Sequence, residues 1–68
     1  MNEDTLNMEV RTYLKKVGIT SQREIEQAVR KAIEAKAINC NGSLDVSMTL
    51  TIPSIGLSHC LIGEIALE

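Results

Sequence analysis

The amino-acid sequence predicts an α+β fold: two helices packed on one face of an antiparallel β-hairpin (ααββ), extended to a four-stranded sheet across a homodimer. Three observations carry this reading. Leu44, Val46, Met48, Leu50 and Ile52 alternate strictly with Asp45, Ser47, Thr49 and Thr51, the pattern of a half-buried strand. Upstream, apolar residues recur at the three- and four-residue intervals of an amphipathic helix. Pro53, Ser54, Ile55 and Gly56 then separate the strand from a second alternating run, as a hairpin loop does.

The first helix is expected from about Thr5 to Val17, because Leu6, Val10, Tyr13, Leu14 and Val17 gather on one face. Glu3 and Asp4 sit at the positive end of its dipole and Lys15 with Lys16 at the negative end. Gly18 supplies a left-handed stop. Ser21 and Glu24 form a Ser-x-x-Glu capping box, which opens a second helix from Gln22 to about Lys36. Ile25, Ala28, Val29, Ala32 and Ile33 make its apolar face, and Glu26 precedes Arg30 at favourable ion-pair spacing. Asn39, Asn41 and Gly42 mark the turn into the strand, with Ile38 covering the end of the core.

The second strand runs from Leu57 to Leu67 with Leu57, Leu61, Ile65 and Leu67 on the apolar register. Placing Ile52 opposite Leu57 sets Met48 against Leu61 and Leu44 against Ile65. The same register puts His59 and Gly63 on the inner face and Asp45 across from Glu64, where like charges repel. A β-bulge near Gly63 would relieve both difficulties. An isolated hairpin leaves both edges unpaired, which points to an edge-to-edge homodimer.

A chain of 68 residues allows one small domain, 1–68, with a marginal core that calls for a staple. Cys40 and Cys60 form at most one bridge, and Met1 to Thr20 shows no apolar run behind a basic start. A reducing cytoplasm with free thiols is the expected setting, so oligomerisation becomes the staple. No apolar stretch approaches the roughly 20 residues of a membrane span. The net charge of −2 argues against general attraction to nucleic acid or anionic membrane. Every basic residue lies at or before Lys36, and Asp45, Glu64 and Glu68 are the only charges beyond it.

Chemistry-bearing residues are sparse. His59 beside Cys60 suggests thiolate activation or a metal site with Cys40, but successive strand residues point to opposite faces and Cys-x-x-Cys spacing is missing. The plainer reading is a histidine bonded to backbone or water. Asp45 with Glu64 suggests an acid/base or divalent-metal pair, yet on an open polar face two carboxylates are ordinarily solvated charges. Gly18, Gly42, Gly56 and Gly63 match no phosphate-binding loop. No catalytic, cofactor or metal site is therefore expected, and the chain reads as non-enzymatic.

Helix, Gly-containing turn, helix and hairpin also outline a winged helix-turn-helix. In that alternative Gln22, Arg23, Gln27 and Arg30 face nucleic acid. Net acidity, three acids on the same helix (Glu24, Glu26 and Glu34) and a wing without Lys or Arg oppose it. Exposed apolar residues are the positive hint about protein partners. Met8 projects opposite its helix stripe, while Cys60, Ile62 and Ala66 form a row on the outer face of the second strand.

Met1 to Arg11, Leu14 to Glu26 and the ending Gly63-Glu-Ile-Ala-Leu-Glu resemble a family of short uncharacterised bacterial proteins of about 70 residues. The resemblance implies a complete bacterial polypeptide, carries no assigned activity and transfers no functional residue. The expectation is a cytoplasmic protein-interaction or accessory module, homodimeric through strand edges, with the nucleic-acid-binding winged helix as the alternative.

Overall fold

The computed structural model describes residues 1–39 and 41–68. They form two units, Met1–Ile38 and Asn39–Glu68. The first contains one α-helix, α1 (Glu3–Glu34), and the second an antiparallel pair, β1 (Ser43–Ile52) and β2 (Leu57–Ala66). The α+β class holds, but two helices are replaced by one.

The break expected at Gly18 does not form. Gly18 has no positive φ, unlike Gly56, and it lies within the helix. Glycine in a helix interior costs about 1 kcal/mol relative to alanine, which a neighbouring apolar stripe outweighs when it stays in phase. It does stay in phase. Leu6, Val10, Leu14, Val17, Ser21, Ile25, Ala28 and Ala32 are spaced by four, four and three residues in repetition, an 11-residue period running straight through Gly18. Ser21 and Glu24 are therefore interior positions, where a capping box has no orphan N–H groups to satisfy.

The true caps lie elsewhere. Asn2 Oδ1 accepts from the Thr5 amide at 3.1 Å, with Glu3 and Asp4 in the first turn where the dipole favours acids. At the other end Ala37 donates to the Ala32 carbonyl at 2.9 Å and Lys36 to that of Ile33 at 3.0 Å. This is a Schellman motif, with Lys36 at φ 57° in the left-handed position usually held by glycine. Along the helix Glu26 Oε2 accepts from Gln22 Nε2 at 3.4 Å, and Thr12 Oγ1 donates to the Met8 carbonyl at 2.9 Å.

The hairpin register runs unbroken from Ser43 opposite Ala66 to Ile52 opposite Leu57, with Met48 against Leu61 and Leu44 against Ile65. Gly63 sits directly across from Val46, so the expected bulge is not made. Two local facts remove the need for it. A Cβ on Gly63 would lie 3.7 Å from Val46 Cγ1, an ordinary contact, so the pair is uncrowded. Glu64 faces Asp45, but its Oε1 accepts a 2.6 Å hydrogen bond from Ser43 Oγ, which partly offsets the repulsion.

Pro53–Ile55 make a single 3₁₀ turn closed by Gly56, whose amide donates to the Pro53 carbonyl at 3.1 Å. Proline presets φ for the first turn position and Gly56, at φ 68°, takes the left-handed one. Beyond the ladder, Leu67 N–H donates to the Gly42 carbonyl at 2.9 Å.

Candidate functional site

Each unit presents an apolar surface. No residue of α1 is buried, and Leu6, Val10 and Leu14 of its stripe are 46, 45 and 52% exposed. Val17, Ser21, Ile25 and Ala32 farther along are half-buried. Met8, 59% exposed, projects from the opposite side of the helix, as its spacing requires. Leu6, Val10, Leu14 and Val17 make the N-terminal half of the stripe, and Ser21, Ile25, Ala28 and Ala32, three of them small, its C-terminal half. That asymmetry is invisible while the helix is read as two.

Charge follows the stripe as well. Glu9, Thr20 and Lys31 are each 11 residues apart and so form one row along its edge, acidic at one end and basic at the other. None of these three was singled out from the sequence. The signal that finds them is the unbroken spacing through Gly18.

In the hairpin, Leu44, Val46 and Ile65 are half-buried on one face, which His59 shares opposite Leu50. The other face carries the row Cys60, Ile62 and Ala66 opposite Thr49, Ser47 and Ser43. All three are exposed, Ile62 by 78%. Asp45, Val46, Ser47, Ile62, Gly63 and Glu64 line an open depression of about 550 Å³. It brings the two carboxylates beside Ile62 but encloses nothing.

His59 and Cys60 face opposite sides of β2 and do not converge on one atom. The expectation involving Cys40 lies outside the described residues. Among the described residues no group of three His, Cys, Asp or Glu side chains is placed to hold a metal ion.

The helix-turn-helix alternative loses its scaffold. Gln22, Arg23, Gln27 and Arg30 lie midway along and toward the end of α1, with no turn before them, rather than at the start of a separate recognition helix. No helix among the described residues is long and apolar enough to cross a membrane.

One long amphipathic helix followed by an antiparallel hairpin defines a small α+β protein. The chain belongs to DUF6494, a family of unknown function whose model matches residues 1–68. No curated protein and no solved structure matches it.

Proposed function

We propose that this protein is a non-enzymatic protein-interaction or accessory module that acts as a homodimer in the cytoplasm. One observation carries the reading: no described side chain, apolar or polar, is buried. Ordering each residue costs on the order of 1–2 kcal/mol in backbone entropy, and a helix is stabilised chiefly by packing its apolar face. A chain that keeps such a face open is completed by association.

The hairpin offers the second surface of this module. Its two edges carry unpaired backbone groups, and Cys60, Ile62 and Ala66 lie beside them on the outer face, able to meet a partner's strand or apolar side chains. Asp45, Glu64 and Glu68 make the surroundings acidic, which disfavours nucleic acid at this surface.

Mass in dilute solution tests the reading. Light scattering is expected to return twice the 7.5 kDa chain mass at micromolar concentration. A well-folded monomer at every concentration overturns it.

A further inference from the structure

We infer that α1 is the dimerisation element and that it pairs with α1 of a second copy in antiparallel orientation. The inference rests on the homodimer reading above and moves the contact from the strand edges, where the sequence alone places it, to the helix stripe. Size complementarity is the first argument. Antiparallel pairing about the middle of the helix sets Leu6 against Ala32, Val10 against Ala28 and Val17 against Ser21 of the second copy. A large residue meets a small one in each of these layers, and between them Leu14 falls within a residue of Ile25, along a helix of about 48 Å at 1.5 Å per residue. Parallel pairing would stack Leu6, Val10, Leu14 and Val17 on themselves in the first half and, Ile25 apart, small residues on themselves in the second. One helix separation serves those unlike halves less well than it serves the antiparallel pair.

Charge is the second, independent argument. The edge row Glu9, Thr20, Lys31 is symmetric about Thr20, one residue from the centre of the size pairing at Ile19, so an antiparallel copy brings Glu9 within two residues, about 3 Å along the axis, of Lys31 of the second copy, twice per dimer. It also opposes the two helix dipoles, with the acidic first turn, Glu3 and Asp4, lying near Glu34 as well as Lys31. In a parallel pair Glu9 and Lys31 are about 33 Å apart and cannot meet. The 11-residue period gives the pair a slight right-handed supercoil.

Sedimentation equilibrium on the full chain and its charge variants tests the pairing. Glu9→Lys and Lys31→Glu each turn two attractive contacts per dimer into repulsive ones and are expected to weaken association about tenfold, at a few tenths of a kcal/mol per contact. The double variant E9K/K31E is expected to recover the original Kd, because the pairs re-form with signs exchanged. Both positions are on the solvated edge of the helix, so folding, followed by circular dichroism, stays intact. Leu14→Glu, inside the stripe, is expected to yield monomer. A wild-type dimer whose Kd ignores all three single changes overturns the helix interface and leaves the homodimer standing. Singles that weaken without recovery in the double overturn the antiparallel orientation, and a wild-type monomer overturns both readings.

Discussion

Lys36 occupies a backbone conformation that costs a non-glycine residue roughly 1–2 kcal/mol. It holds that position because the Schellman hydrogen bonds from Ala37 and Lys36 close the helix there. Lys36→Gly is therefore expected to stabilise the protein by about 1 kcal/mol in urea denaturation. Gly56→Ala should do the reverse, losing about 1 kcal/mol, since its φ of 68° closes the hairpin turn. Its role as a turn residue is legible from Pro-Ser-Ile-Gly, whereas nothing about Lys36 announces a left-handed residue. Glycine at that position would have. The difference is that Lys36 is forced by the hydrogen bonds around it rather than selected for its own freedom.

Gly18 gives the sharpest contrast between local signal and element. As a helix stop it would need positive φ, and alanine there would be destabilising; inside a continuous helix alanine gains about 1 kcal/mol. A Cβ at Gly18 meets nothing within 4 Å, so Gly18→Ala is expected to raise both helical ellipticity and the unfolding midpoint. A lowered midpoint would restore the two-helix description. In the hairpin, Asp45→Lys converts a like-charge cross-strand pair with Glu64 into an opposite-charge one and should stabilise by a few tenths of a kcal/mol up to about 1, read from thermal unfolding. This register was readable from the alternation because a slip of one residue would turn every apolar side chain to the wrong face. The bulge at Gly63 was not needed, since Ser43 supplies a hydrogen bond to Glu64 from two positions away along β1.

For the molecule in solution, association and stability are linked. If folding is completed by a second copy, the thermal midpoint rises with protein concentration, whereas a self-sufficient monomer unfolds at a fixed temperature. Calorimetry over a hundredfold concentration range is expected to show that rise. Leu14→Glu should abolish it, while Met8→Ala, on the opposite side of the helix, should leave it in place. Pairing through α1 would leave the open depression at Asp45 and Ile62 outside the contact. Ile62→Lys is expected to leave self-association unchanged and to act only on binding of a different protein at the hairpin.

The amino-acid sequence by itself determined the α+β class, the hairpin, its loop and its register, because these rest on alternation and turn chemistry within a few dozen neighbouring residues. It also carried the apolar stripe, but in two pieces. Only the tertiary structure decided that α1 runs through Gly18, since the local cost of one glycine and a plausible cap at Ser21 had to be set against a stripe staying in phase over the whole helix. That decision belongs to cooperative helix formation, where each turn is stabilised by the next, and no short window of residues contains it.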